Sequence, residues 1–295
     1  MPAIATPAVE LEFLAEGPKQ GPPLLLIMGL GVPLSRWPQA LCDRLVALGY
    51  RVIRFDNRDA GLSTHLEQAP VPDLAGALQR GMAPQVPYTL DDMAADAVAL
   101  LDGLGVAKAH VAGASMGGAI AQILAARWPE RVRSLTCIMS SSGNPALPPP
   151  TPAAATALFA PLPADRSEDS IVADGMRRYR AVASPAYPQP EEALAAMLRE
   201  EYRRSFDPRG LARQLGAILA SGDRRPLLAT ITAPTVVLHG ADDPLIPPAC
   251  GQDVAENIPG AELRLVPGMG HDFPPELAAT LAAAIDAAAR RAPGP

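Results

Sequence analysis

Residues 109–128 read AHVAGASMGGAIAQILAARW, and this segment holds the strongest structural signal in the chain. The apolar run at 109–113 predicts a buried strand, and the small apolar residues at 116–128 predict a buried helix. Strand and helix meet at Gly113-Ala114-Ser115-Met116-Gly117, a G-x-S-x-G sequence. Between a strand and a helix this pattern is typical of a nucleophile elbow, a sharp turn that holds a serine hydroxyl at the carboxyl edge of a sheet. Ser115 is therefore the candidate nucleophile.

Short apolar runs and helical patterns alternate on both sides of this segment. Further buried strands are predicted at 24–28, 51–55, 135–139, 235–239 and 263–266, and an edge strand at 9–14. Helices are predicted at 38–48, 89–104 and about 275–290. Strands that alternate with helices predict an α/β fold, with a mostly parallel sheet and helices on both of its faces.

The alternation is interrupted once, at about residues 145–225, where no run has the pattern of a buried strand. We predict a helical cap here, so that residues 1–144 and 226–295 form the core domain and residues 145–225 the cap. The apolar residues of the cap either line a pocket for a hydrophobic substrate or dock the cap on the core. They include Leu158, Phe159, Leu162, Met176, Tyr179, Tyr187 and Met197.

A serine hydroxyl is a weak nucleophile at neutral pH and needs a general base. The chain has four histidines, and His271 lies in a glycine-rich loop after the last strand, where a base is expected in the order serine, acid, histidine. His110 and His239 fall at predicted strands, so we expect structural roles for them. His65 follows a loop and is either a residue at the rim of the site or an ordinary loop residue.

The base in turn needs an acid that fixes its tautomer. Asp242 and Asp243 both follow the strand predicted at 235–239, and Asp243 is the better candidate because the segment Pro244 to Pro247 would hold it rigidly.

Acyl transfer also needs backbone N–H groups where negative charge develops. The candidates are the N–H of Met116, directly after the nucleophile, and that of Leu30, in the loop after the strand predicted at 24–28. In the same loop we expect Met28 and Gly29 to border the substrate.

Taken together, these motifs resemble the serine α/β-hydrolase superfamily. The resemblance rests on the elbow, on Asp56 to Ser63, on Gly240-x-x-Asp243 and on Gly270-His271, and it covers nearly the whole chain outside 145–225, which corresponds to the cap of that family. Asn57 and Ala60 depart from the commoner form of the Asp56 loop, and we interpret this as a change in a structural turn and not in the chemistry.

Further details are similar to the aclacinomycin methylesterase-like carboxylesterases of this superfamily. They are Met28-Gly29, Trp37-Pro38, Ala94 to Val98, Asp243-Pro244 and Pro267 to His271. This resemblance implies hydrolysis of a carboxylic methyl ester beneath a helical cap.

The sequence therefore predicts a carboxylic ester hydrolase that acts through an acyl-enzyme on Ser115, with a small-molecule ester as substrate and no metal or organic cofactor. A cofactor-free perhydrolase of the haloperoxidase type and a carbon–carbon bond hydrolase share the triad and stay open as alternatives. A degenerate hydrolase that only binds a ligand is a third, non-enzymatic alternative. Haloalkane dehalogenases and epoxide hydrolases use an aspartate nucleophile, and Ser115 argues against both.

Composition excludes several other classes. The chain has 295 residues, 48% of them hydrophobic, and a net charge of −6 without a Lys/Arg run, which argues against a nucleic-acid partner. The three cysteines are far apart, which argues against a disulfide framework or a zinc cluster. The N-terminal residues lack a signal-peptide pattern, and no apolar run approaches the ~20 residues of a membrane span. We expect a cytoplasmic protein without a membrane partner, in an oligomeric state that the sequence leaves open.

Overall fold

A single eight-stranded sheet organises the computed structural model, which describes residues 2–293 except for the side chain of residue 78. The strands lie in the order β1-β2-β4-β3-β5-β6-β7-β8. Among the described strands, only the β1–β2 and β2–β4 pairs are antiparallel, so the prediction of a mostly parallel sheet is confirmed. Their bounds are β1 (Ala3–Ala5), β2 (Glu10–Glu16), β3 (Pro23–Ile27), β4 (Arg51–Phe55), β5 (Ala109–Ala114), β6 (Val132–Ile138), β7 (Thr235–Gly240) and β8 (Glu262–Val266).

The segment 9–14 contributes to a strand, as expected, but the prediction that this strand lies at the edge of the sheet is wrong. That segment forms β2, which pairs with β4 on one side and with the three-residue strand β1 on the other, so the edge belongs to β1. Three residues are too few to show the alternation of apolar and polar side chains by which a strand is recognised in a sequence.

Eleven α-helices connect and cover the strands within the described residues. They are α1 (Gln39–Ala47), α2 (Leu74–Arg80), α3 (Leu90–Gly103), α4 (Met116–Arg127), α5 (Pro152–Phe159), α6 (Glu168–Arg180), α7 (Glu191–Arg204), α8 (Pro208–Ser221), α9 (Arg225–Leu228), α10 (Pro248–Asn257) and α11 (Ala278–Arg290). Within residues 2–293, none of them is both long and apolar enough to cross a membrane.

Two hydrophobic cores lie on opposite faces of the sheet, because successive side chains of a strand point to opposite sides. On β3, Leu25 and Ile27 belong to a cluster that includes residues of α3 and α4. Leu24 and Leu26 belong to a second cluster that includes residues of α1 and α11. The prediction of helices on both faces is therefore confirmed.

The segment between β6 and β7 carries α5 to α9 and, within the described residues, no strand. Two buried carboxylates in the loop after β4 hold it to the core. Asp59 receives two hydrogen bonds of 2.7 Å from the guanidinium of Arg213 on α8, and Asp56 pairs with Arg204 on α7 at 2.7 Å. The division into a core and a separate cap at 145–225 stays a prediction, but the docking of α7 and α8 is defined by these ion pairs.

Replacing Arg213 with methionine is expected to lower the free energy of unfolding by about 3–5 kcal/mol, because the Asp59 carboxylate would stay buried without its charged partner. Both side chains are completely buried. Urea denaturation monitored by circular dichroism measures the change.

The matched control is the double variant Asp59→Asn, Arg213→Met, which removes both charges. Asparagine tolerates the left-handed backbone of residue 59, where φ is 64°. The double variant should lose clearly less stability than the two single variants added together; additive losses would contradict the ion-pair explanation.

Candidate active site

Ser115 lies at the turn between β5 and α4, in a backbone conformation that residues with a side chain rarely adopt, with φ 53° and ψ −119°. The turn is possible because glycines flank it. A Cβ on Gly113 would lie 2.1 Å from the carbonyl oxygen of Gly117, and a Cβ on Gly117 would lie 2.0 Å from that of Ile27. The turn presents the serine at the carboxyl end of the parallel strands, where ligands bind in open α/β sheets.

His271 lies in the loop after β8, and its ring connects the serine to an aspartate. Its Nε2 is 3.0 Å from Ser115 Oγ, and its Nδ1 is 2.7 Å from Asp243 Oδ2. The carboxylate of Asp243 can only accept, so Nδ1 carries the proton and Nε2 is left to accept the proton of the serine hydroxyl. The three residues singled out from the sequence therefore meet in one hydrogen-bonded chain.

Asp243 is completely buried and held on both sides. Its Oδ1 accepts hydrogen bonds of 2.9 and 2.8 Å from the N–H groups of Leu245 and Ile246, which leaves Oδ2 for His271. Asp242, the competing candidate, lies elsewhere in the same turn and accepts a 2.7 Å hydrogen bond from the N–H of Gly268. The structure thus joins Asp243, and not Asp242, to the histidine.

The loop after β3 approaches the serine from the neighbouring strand. A Cβ on Gly29 would lie 3.2 Å from Ser115 Cβ, so glycine permits this approach. The Leu30 N–H has no acceptor among residues 2–293, and Met116 begins α4, where an N–H has no partner within the helix. Met28 is only 2% exposed and belongs to the core cluster that includes residues of α1 and α11, and its expected place at the border of the substrate stays a prediction.

A buried network that the sequence did not reveal fastens the His271 loop to the helical segment. Asp272 accepts hydrogen bonds from Tyr179 at 2.7 Å and from both the hydroxyl and the backbone N–H of Ser184. Burial raises the pKa of Asp272 despite these donors. Gly270 donates to Ser184 Oγ at 2.8 Å, and the N–H of His271 donates to Val182 O at 2.7 Å. These contacts tie His271 to the segment that follows α6.

Two of the apolar residues that the sequence predicts to line a pocket or dock the cap, Tyr179 and Tyr187, contact the core. Tyr179 uses its hydroxyl on Asp272, and Tyr187 packs against the core cluster formed with α1 and α11. A third residue of the same set, Phe159, is 62% exposed to solvent. Both tyrosines therefore help to dock the helical segment on the core.

His110 and His239 are buried and hydrogen-bonded within the core. His110 Nδ1 lies 2.8 Å from Ser134 Oγ, and burial lowers the pKa of His110 to about 4. His239 Nε2 donates to Ile246 O at 2.7 Å and supports the turn that carries Asp243, and burial lowers its pKa as well. Their contacts agree with the structural roles expected for them.

His65 lies where the helical segment meets the loop after β4. Its ring contacts Asp207 Oδ2 at 2.8 Å and the carbonyl oxygen of Gly61 at 3.0 Å. Asp59, His65 and Asp207 bring three ligand-type atoms within 4.8 Å of one another. The guanidinium of Arg213 already bonds Asp59 and lies 3.4 Å from Asp207, so it supplies the positive charge here, and we assign no metal to this cluster.

Protonation of His65 is expected to stabilise the folded protein. Burial by itself lowers the pKa of His65, but its contacts with Gly61 O and Asp207, with the nearby charge of Asp59, outweigh burial and raise it. A raised folded-state pKa means that the stabilisation is complete below the unfolded value of about 6.5 and is lost as pH rises through the folded value.

Urea denaturation of the wild type and of His65→Gln at pH 5.5 and pH 8.5 measures this effect. The difference in the free energy of unfolding between the two proteins should be larger at pH 5.5. A difference that grows with pH would contradict the assignment.

The chain is similar to known proteins over most of its length. Residues 22–276 match the family model of the alpha/beta hydrolase fold. The chain is 30% identical over 289 residues to rhodomycin D methylesterase of Streptomyces peucetius, covering 92% of this chain and 91% of that protein. It is 27% identical over 263 residues to 3-oxoadipate enol-lactonase 2 of Acinetobacter baylyi, covering 88% and 85%.

Among solved structures, the enol-lactonase from Burkholderia xenovorans LB400 aligns with a TM-score of 0.74 and 25% identity, covering 98% of this chain and 100% of that one. The family model and the methylesterase each cover most of the chain. The chain therefore belongs to the α/β-hydrolase family and is a hydrolytic enzyme.

Proposed function

We propose that the protein is a serine carboxylesterase that hydrolyses a small-molecule ester through an acyl-enzyme. The observation that carries the proposal is the chain of hydrogen bonds from Asp243 through His271 to Ser115, with Ser115 held on a strained turn. This arrangement supplies a nucleophile, a base in the correct tautomer and an acid that stabilises the imidazolium.

The reaction follows from these roles. Ser115 Oγ attacks the ester carbonyl while His271 Nε2 accepts its proton, and the N–H groups of Leu30 and Met116 stabilise the oxyanion of the tetrahedral intermediate. Collapse of the intermediate breaks the bond to the alkoxy group, which leaves as the alcohol with the proton from His271. A water molecule, activated by the same base, then releases the carboxylic acid and restores the serine.

A methyl ester of a bulky, hydrophobic acid is the substrate class we propose. The support is the similarity to a rhodomycin D methylesterase over nearly the whole of both chains. We further propose that the segment 145–225 is a cap over the site, since contacts of Asp272 and Gly270 join it to the loop of the base.

The test is a panel of p-nitrophenyl esters of increasing chain length, followed by methyl esters of bulky aromatic acids with methanol detected. Rapid quenching and intact-mass measurement should reveal an acyl adduct, which peptide mapping should place on Ser115. Turnover without an adduct on this residue would refute the proposal. Turnover only with peroxide and acetate would favour the perhydrolase. Cleavage of diketones alone would favour the carbon–carbon bond hydrolase, and ligand binding without turnover would favour the degenerate hydrolase.

A further inference from the structure

The loop at residues 28–31 has to be rigid if Leu30 is to serve the proposed reaction. The N–H of Leu30 belongs to the peptide group between Gly29 and Leu30. A backbone donor stabilises a transition state most effectively when it is in position before charge develops. Side chains that fix this peptide therefore support the proposed reaction.

Both neighbouring peptide groups are held by buried side-chain amides. On one side, Asn57 Nδ2 donates a 2.9 Å hydrogen bond to the carbonyl oxygen of Met28. On the other side, Gln214 Oε1 accepts a 2.7 Å hydrogen bond from the N–H of Gly31. The peptide that carries the Leu30 N–H thus lies between two fixed peptides, with its own N–H unused within the described chain.

The orientation of the Gln214 amide is itself determined. Gln214 lies on α8 and is completely buried. Its Nε2 donates a 2.6 Å hydrogen bond to the carbonyl oxygen of Arg58, which can only accept. The oxygen of the amide must therefore face Gly31, and the side chain bridges the loop after β3 and the loop after β4.

Packing from the same helix supports this contact. Gly31 has a positive φ of 69°, and a Cβ at this position would lie 2.4 Å from Leu211 Cδ1. Leu211 precedes Gln214 by one turn of α8 and covers Gly31, while Gln214 bonds its N–H. One face of α8 therefore sets both the shape and the hydrogen bonding of the loop.

We propose that Gln214 is a positioning residue for catalysis: it acts through Gly31 to hold the Leu30 N–H where the oxyanion forms. The inference rests on the proposed function, because it assigns the means by which the helical segment supports the same site. If Gln214 has this role, the reactivity of Ser115 depends on how α8 docks against the loops after β3 and β4.

The test uses the rate at which a fluorophosphonate labels Ser115, since this reaction needs the same serine, base and oxyanion donors but no knowledge of the substrate. Gln214→Met keeps the size of the side chain and removes both hydrogen bonds. It should slow labelling by about 10- to 100-fold, less than the ~10²–10³-fold typical of deleting an oxyanion donor outright. With an ester substrate, kcat should fall by the same factor while KM changes less than about threefold.

Two further variants separate positioning from general loosening. Gln214→Glu, when protonated at its buried position, can still accept from Gly31 and donate to Arg58, and it should label within about threefold of the wild-type rate. Gln122→Met makes the same substitution at another completely buried glutamine, whose side chain contacts Cys137, Ser141 and Arg224. It should label at close to the wild-type rate.

Labelling of folded Gln214→Met at the wild-type rate would overturn the inference and leave the proposed function intact. Failure of the wild-type Ser115 to react at all would overturn the proposed function, and the inference with it. If Gln214→Met does not fold, hydrogen exchange on the wild type decides: the Gly31 amide should exchange at least about 100-fold more slowly than a free loop amide, and exchange at the free rate would overturn the inference.

Discussion

Ser115→Ala should lower kcat for ester hydrolysis by about 10⁴- to 10⁶-fold, the range seen when a catalytic serine is removed from enzymes of this mechanism. The hydroxyl whose oxygen lies 3.0 Å from His271 Nε2 is the only part of the residue that the substitution deletes. Binding should be largely preserved, so the loss should fall on kcat. Steady-state rates with p-nitrophenyl esters, normalised to folded protein, measure it.

Ser115→Gly is the control that separates chemistry from strain. It should be as inactive as Ser115→Ala, yet more stable than that variant by up to about 2.5 kcal/mol. The reason is that glycine adopts φ 53° and ψ −119° without the ~1–3 kcal/mol of strain that a Cβ brings, at an entropic cost of about 0.5–1 kcal/mol. Retention of activity in either variant, or a glycine variant less stable than the alanine variant, would contradict this account.

Features encoded by neighbouring residues could be predicted from the sequence. The central strands are short apolar runs bounded by turn residues, and the turn at 113–117 needs its glycines within a few positions of the serine. Since parallel strands end at the same edge of a sheet, predicting β5, β7 and β8 was enough to bring Ser115, Asp243 and His271 together.

Contacts between distant segments could not be predicted in the same way. Gln214 lies 183 positions from Gly31, so no local pattern around it indicates this partner. The departure at Asn57 indicates no more than a change in a turn, but the side chain of Asn57 bonds the carbonyl oxygen of Met28 in the loop beside the serine. Such roles depend on how the helical segment and the loops pack together, which a hydrophobic pattern does not encode.

Asp243→Asn should lower kcat by about 10⁴-fold at neutral pH, although the substitution changes neither the size nor the shape of the side chain. The structure determines how the new amide would lie. The N–H groups of Leu245 and Ile246 both donate to the position of Oδ1, so the oxygen of asparagine must stay there. The NH₂ group is then forced to the position of Oδ2, which is 2.7 Å from His271 Nδ1.

An NH₂ group at that position donates to Nδ1 and so moves the imidazole proton to Nε2. A protonated Nε2 cannot accept the proton of Ser115, and the neutral amide cannot stabilise the imidazolium. Asp242→Asn is the matched control, because the Asp242 carboxylate accepts a hydrogen bond from the Gly268 N–H and asparagine keeps an oxygen for it. The kcat of this variant should stay within about threefold of the wild-type value. Equal losses in the two variants would mean that Asp243 acts on the shape of the turn and not on the tautomer of His271, and ¹⁵N NMR of the imidazole would show which nitrogen carries the proton.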